Sequence, residues 1–391
     1  MEESFEIPYD EEIMERLDKS KLNNEEQLHL AILSIHEYYE KNKSLPEINN
    51  LKHSNIIIDI ANNIYNKLRS KEYEWIKHFD SIDRKYLEYV SRWSKCEIAP
   101  ICSFLGGISS QEIFKLNGKF IPINQWLWFD FFEIISNQKD KLINIELNNS
   151  RYNDQIAIFG NEFQNKIKKL NLFIIGAGAL GCEYLKNLSM MGVCWDSLNN
   201  NNSKVTITDN DNIEISNLNR QFLYNKSNVG QSKSKYASNK IKNFNIYFNC
   251  ESQQLMLNDD TEDFFNEDFW LNQNFILNAV DNIEARNYID KKCCFYSKPY
   301  IDTGTLGTIG SCFIFYPFKT QCFRDIPPII EKQIPMCTLK DFPYKFEHCV
   351  EFAKSIFNDI FNENIKELNL LMKDFDKFHL INLSNIKKWR N

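Results

Sequence analysis

Glycine, acidic and basic residues cluster through the middle of this 391-residue chain at spacings that suit phosphate chemistry. In Gly176-Ala-Gly178-Ala-Leu-Gly181, the first glycine permits a tight turn and the second lets backbone approach a phosphate. The third allows a helix and strand to pack closely, and the helix N-terminus then offers unpaired N–H groups to an anion. The competing reading is a glycine-rich turn with no ligand. Asp209 follows the next apolar run, where a carboxylate accepts from the ribose hydroxyls of NAD and of ATP alike. The polar stretch that continues to Phe222 contains Asp211, Asn217, Arg220 and Gln221, and Lys233 lies shortly beyond. An arginine and a lysine beside a nucleotide's phosphates suit phosphoryl transfer better than hydride transfer. On composition alone, the same stretch reads as a solvated polar loop.

Two further residues qualify by position. Asp281 ends the segment Leu277-Asn-Ala-Val-Asp281, at the strand edge where ligands bind in open α/β sheets. A carboxylate there can hold Mg²⁺ through hard oxygen ligation, or simply cap the next helix. Cys337, in Ile334-Pro-Met-Cys337-Thr, sits in a Pro-flanked loop ahead of a helix and is a candidate nucleophile. It is one of eleven cysteines. His348 and Cys349 read as helical packing residues instead.

The elements that would position these groups follow from periodicity. Residues 23–93 read as helices over Asn23–Glu40, Ile56–Leu68 and Ile82–Trp93. Gly106-Gly107 opens a further candidate helix, and the aromatic run Phe120–Phe132 reads as a buried strand or core segment. From Arg151 strands and helices alternate: Leu172–Ile175, a helix over Cys182–Met191, then strands Val205–Thr208, Phe275–Val280, Pro299–Asp302 and Cys312–Tyr316. Strand, glycine turn, helix, strand predicts an α/β fold, a Rossmann-like parallel sheet with helices on both faces. Leu198–Ser203 reads as a polar loop, and a last amphipathic helix carries Phe346, Val350, Ala353, Phe357 and Ile360.

Composition excludes several classes. A formal charge of -7 without a basic block argues against a nucleic-acid partner. No run approaches the roughly 18 apolar residues of a spanning helix, and the acidic start MEESFEIPYDEE is unlike a secretory signal. Scattered cysteines with no CxxC pair fit reduced thiols in cytoplasm or nucleus, and give a structural zinc site little support.

Taken together, Arg151-Tyr-Asn-Asp-Gln, GAGALGCEYLKNL, TDNDNIEISNLNRQFL, NAVDNIEAR, DTGTLGTIG and IPMCTLKDFP resemble, in order, the active adenylation domain and catalytic-cysteine segment of ubiquitin-activating enzymes. Residues 96–133 are similar to the end of the inactive adenylation domain that precedes it. The resemblance thus implies three parts: the C-terminal part of an inactive adenylation domain, mostly helical (1–150), the ATP-binding half of the active domain (151–320), and the start of the cysteine domain (321–391). It implies a ThiF/MoeB-like adenylation fold followed by a helical cysteine-domain start. The fused upstream half and the lack of CxxC favour the single-chain ubiquitin type over SUMO- and NEDD8-type subunits.

The resemblance also assigns roles. Gly176, Gly178 and Gly181 would form the ATP phosphate turn, Asp209 would hold ribose, and Asn217, Arg220, Gln221 and Lys233 would face the phosphates. Asp281 and Asp211 would lie at Mg²⁺, and Cys337 would form the thioester. The implied function is ATP-dependent adenylation of ubiquitin, transfer to a cysteine, and handover to ubiquitin-conjugating enzymes, by a protein monomeric in its full-length form. Two alternatives stand beside it: a non-catalytic adenylation-like module that binds a ubiquitin-like protein, and an activating enzyme for another modifier. An NAD-dependent oxidoreductase is supported only by the glycine turn and Asp209.

Overall fold

A computed structural model of the protein describes residues 24–71, 73, 81–118, 121–124, 126–132, 150–195, 203–306, 309–326 and 346–373. The chain divides into two compact units, Met1–Asp325 and Ile326–Asn391.

The first unit begins with helices. α1 (Asn24–Asn42), α2 (Leu51–Ser70) and α3 (Arg84–Trp93) meet along an apolar seam that includes Leu30, Ala31, Ile58, Ala61, Leu68 and Leu87. The sequence placed the start of α2 at Ile56, but Asn50 starts it earlier by accepting from the N–H of Lys52 (3.0 Å) and His53 (3.3 Å). Asp83 likewise caps α3 through the N–H of Tyr86 (3.0 Å).

Two expectations for the next stretch are corrected, the second of them in part. α4 (Ala99–Lys115) runs straight through Gly106 and Gly107 rather than opening there. Its start is set by Pro100 in the first turn, where the missing proline N–H costs nothing. The aromatic run after it is not a buried strand: among its described residues no strand forms, and Trp126, Leu127 and Phe129 are exposed. Trp126 and Trp128 stack on each other at 5.2 Å, and Phe129 packs on Phe104 of α4 at 4.5 Å. The run also faces the helices: Trp126 and Trp128 lie edge-on to buried His29 of α1 at 5.6 and 4.9 Å. Half-buried Phe132 packs on Tyr86 of α3 at 5.1 Å and joins the helical core, so the core-segment reading holds at that end.

The helical part is tied to α5 (Asn153–Lys168), which is interrupted at Gly160. The Glu97 N–H donates to Asp154 (3.0 Å), and the Asn49 side chain donates to the Ala157 carbonyl (3.3 Å). The α/β part then follows in order: β1 (Leu172–Ile175), α6 (Ala179–Met191), β2 (Val205–Thr208), α7 (Lys233–Ile241) and β3 (Cys250–Gln253). After these come α8 (Glu267–Leu271), β4 (Phe275–Asn278), α9 (Ile283–Phe295), β5 (Tyr300–Leu306) and β6 (Ile309–Phe315).

The sheet order is β3-β2-β1-β4-β5-β6. β1 pairs in parallel with β2 and β4, β2 with β3, and β4 with β5. Only β6 is antiparallel, folding back on β5 from Tyr300↔Phe315 to Leu306↔Ile309. The expected parallel sheet is therefore correct for five strands and gains an antiparallel edge. β1 and β2 are buried at every residue, as a sheet covered on both faces requires. Leu172, Ile174, Val205, Ile207 and Leu277 pack with Leu185 of α6 and Ala237 of α7 to form the core. The α6 face picked out in the sequence (Tyr184, Leu185, Leu188 and Met191) joins this cluster.

In the second unit the described residues form α10 (Phe346–Asn358) and α11 (Asn364–Lys373), joined by a π-turn at Asp359–Glu363. Cys337 and most of the Leu198–Ser203 loop lie outside the described residues.

Candidate functional site

The order of the sheet reverses at β1 and β4, which lead in sequence to opposite sides, and a crevice forms beyond their C-terminal ends. This is the usual ligand position in open α/β sheets. A cavity of about 680 Å³ occupies it, lined by Gly176, Gly178, Asp209, Asp211, Asn217, Arg220, Gln221, Lys233 and Asp281. Nine residues chosen from sequence thus converge from four separate stretches of chain.

Backbone geometry explains two of the glycines. Gly176 has φ +99°, and an added Cβ would stand 2.7 Å from the Ala279 carbonyl oxygen. A Cβ on Gly181 would collide with the Gly176 carbonyl, so that position serves close packing rather than the cavity wall. At Gly178 the space is open: the nearest atom to an added Cβ is the Gln221 Nε2 at 3.9 Å. Gly178 also begins α6 with no side-chain cap, leaving the first N–H groups of the helix facing the crevice.

Asp209 is bound into the turn. Its Oδ2 accepts from the Ala177 N–H at 2.6 Å, and its Oδ1 from the Asp211 N–H at 2.8 Å. Burial raises its pKa above the ordinary carboxylate value, outweighing the lowering by these two bonds and by Lys233. Lys233, at the first turn of α7, has its side chain only 9% exposed and reaches Asp211 Oδ2 at 2.8 Å, while Asp211 remains 59% exposed. Asn217 accepts from the Glu214 N–H (3.0 Å), forming a short capped turn that holds the loop carrying Arg220 and Gln221. Arg220 is exposed and donates to the Ser216 carbonyl and to Asn219, each at 3.0 Å. Gln221 is buried, and its Oε1 has no partner among the described residues. Asp281 is exposed at the mouth, just before Asn282, whose side chain caps α9 through the Ala285 N–H (2.7 Å).

Sequence reasoning missed three supporting groups. Tyr224 donates its buried hydroxyl to the Ala177 carbonyl at 2.7 Å, bracing the glycine turn from behind. Ser234 donates to the carbonyls of Gln253 (2.7 Å) and Asp209 (3.1 Å), tying α7 to the strand ends. Arg286 of α9 lines the cavity, pairs with buried Asp302 at 3.2 Å and donates to the Val280 carbonyl at 3.1 Å. Asp302 also accepts from Asn278 at 2.6 Å, yet burial still raises its pKa. The motifs NAVDNIEAR and DTGTLGTIG contained this pair, but no one-dimensional signal says that their charged residues meet.

The donor set fits a nucleotide with a divalent cation. The helix start, Lys233 and Arg220 suit polyphosphate, and the orphaned Gln221 Oε1 has room for a ligand donor such as a hydroxyl. Asp281 and the solvent-facing part of Asp211 supply the hard oxygen ligands Mg²⁺ requires.

Comparison with known proteins agrees with the fold. Residues 152–383 match the model of the ThiF family, and residues 1–65 match that of the ubiquitin-activating enzyme E1 four-helix bundle. The chain is 38% identical over 362 residues to "Ubiquitin-activating enzyme E1 1" of Candida albicans, covering 91% of this chain and 35% of that protein. It is 38% identical over 355 residues to "Ubiquitin-like modifier-activating enzyme 1" of Dictyostelium discoideum, covering 90% and 34%. The chain therefore spans about a third of the length of the curated relatives it matches. Among solved structures, E. coli MccB with ATP is similar at 25% identity and a TM-score of 0.40, over 46% of this chain and 53% of that one.

Proposed function

The chain belongs to the ThiF family, and from that premise we propose that its cavity binds ATP with Mg²⁺ and adenylates the C-terminal carboxylate of ubiquitin, which Cys337 then receives as a thioester. The observation that carries this reading is the placement of buried Lys233, paired to Asp211, beside the glycine turn and Arg220. The ubiquitin-activating relatives named above make ubiquitin the modifier of choice.

The chemistry needs little acid–base assistance. A peptide's terminal carboxylate is ionised at neutral pH, so its attack on the α-phosphate needs alignment and charge neutralisation rather than a strong base. The first N–H groups of α6 and the Lys233 ammonium would hold the phosphates, and Arg220 would add positive charge from the loop. Asp209 would keep the glycine turn in place while its exposed edge addresses the ribose. Mg²⁺, held by Asp281 and Asp211, would supply further neutralisation of phosphate charge. Pyrophosphate leaves, and the Cys337 thiolate attacks the acyl carbon of the adenylate with loss of AMP. Handover of the thioester to conjugating enzymes completes the proposed sequence.

Equilibrium binding is the test of the site. ATP with Mg²⁺ should bind the 391-residue chain and weaken about tenfold or more on omitting Mg²⁺ or in Asp281→Ala. Tight NADH binding together with absent ATP binding would assign the crevice to a dinucleotide instead.

A further inference from the structure

A second constellation lies away from the nucleotide cavity, where α9 meets the turn that follows β6. The sulfur atoms of Cys294 and Cys322 are 3.2 Å apart and both side chains are partly accessible. Buried Asp290, one helical turn before Cys294, accepts from the Tyr300 hydroxyl (2.5 Å) and the Phe323 N–H (3.1 Å) through Oδ1. Its Oδ2 accepts from Arg324 Nε at 2.6 Å. These bonds grip the residues on the far side of Cys322, and the Cys322 N–H donates to Asp325 at 2.9 Å. The two thiols are therefore held opposite each other by groups that flank them on both elements.

The same three side chains, Asp290, Cys294 and Cys322, lie close enough to share a metal ion. The chemistry disfavours it. Both Asp290 oxygens are already committed to strong donors, and the Arg324 guanidinium supplies the positive charge a cation would bring. Two sulfur atoms in van der Waals contact are suited instead to bonding to each other, since a disulfide needs about 2.05 Å and a small side-chain rotation closes the gap.

We propose that Cys294 and Cys322 form a reversible disulfide by exchange with a low-molecular-weight disulfide such as oxidised glutathione. Either thiol of the pair can begin the exchange, and with Cys322 first the steps balance. The Cys322 thiolate attacks one glutathione sulfur, the glutathione S–S bond breaks, and glutathione thiolate leaves. Cys294 then attacks the Cys322 sulfur of the mixed disulfide, giving its proton to the departing second glutathione. Two protein thiols are oxidised and one glutathione disulfide is reduced to two thiols. The bond would fasten the turn at Phe323–Asp325 to α9, the helix that begins beside Asp281 and carries Arg286.

The test is to equilibrate the intact chain with mixtures of reduced and oxidised glutathione, trap free thiols with an alkylating agent and map the peptides by mass. A peptide joining residues 293–294 to Cys322 should grow with the oxidised fraction, with loss of two alkylatable thiols per chain, and vanish on adding dithiothreitol. It should persist in Cys293→Ser and be lost in Cys294→Ser and in Cys322→Ser. Glutathione adducts without the cross-link, or a cross-link that survives Cys294→Ser, would overturn the proposal. So would stoichiometric Zn²⁺ binding by the reduced chain that disappears in Cys322→Ser, which would make the cluster a metal site.

Discussion

At the scale of single residues, the three glycines of the turn have different jobs, and substitution should separate them. Gly181→Ala drives a methyl group into the Gly176 carbonyl and should cost about 3 kcal/mol in denaturant unfolding, at the upper end of overpacking. Gly178→Ala has open space around it and should cost no more than about 1 kcal/mol, while weakening ATP binding by narrowing the phosphate approach. Equal stability losses in the two variants would contradict the assignment. Lys233→Met tests the buried ammonium. It should lower ubiquitin-dependent pyrophosphate exchange by about 100-fold or more, the usual loss on removing one preorganised donor. Its melting temperature should hardly change, because the partner Asp211 is 59% exposed and is left solvated. These residues were legible in the sequence because each belongs to a short motif whose spacing has a physical reason. Tyr224 and the Arg286–Asp302 pair were not, because their partners are distant in sequence: Tyr224 lies 47 residues from the carbonyl it braces.

At the scale of elements, α9 and β5 are joined by a charge pair that burial works against. Burial raises the pKa of Asp302 and of Asp209 above the ordinary 3.8. Between 3.8 and each raised folded value, the folded chain holds protons that the unfolded chain has released. Stability therefore falls as pH rises through that window, and their contribution is fullest below it. Asp302→Asn should flatten this acid-range slope in urea titrations; an unchanged slope would mean Asp302 is not among the groups that set it. Tyr224→Phe leaves the Ala177 carbonyl with only the weak Cys182 thiol donor at 3.8 Å and should cost about 1–2 kcal/mol, with weaker ATP binding as the turn loosens. Elements were readable where burial writes a pattern. β1, β2 and β4 are apolar runs and were located to within two residues. β3 was missed because Cys250-Glu-Ser-Gln253 carries only one fully buried residue, and an edge strand of that kind leaves no hydrophobic signature. The start of α4 was misplaced because two glycines outweighed Pro100, although glycine costs an exposed helix only about 1 kcal/mol each. The aromatic run was half misread because ring density reports packing and not backbone conformation: Phe132 does join the helical core, but no strand forms among the described residues.

At the scale of the whole molecule, a helical part precedes an α/β part within one unit, and a second unit begins at Ile326. The helical part carries the match to the four-helix-bundle model at residues 1–65, and the match to the ThiF model over residues 152–383 takes in the α/β part. The proposed reaction needs both units, since the cavity residues lie in the first and Cys337 in the second. The decisive measurement is the intact mass of the chain after incubation with ubiquitin, ATP and Mg²⁺, taken with and without reductant. The proposal requires an adduct of one ubiquitin that depends on ATP, is released by thiol and is absent in Cys337→Ala. No adduct, or one formed equally well without ATP, would contradict the proposal that this chain takes part in ATP-dependent ubiquitin activation.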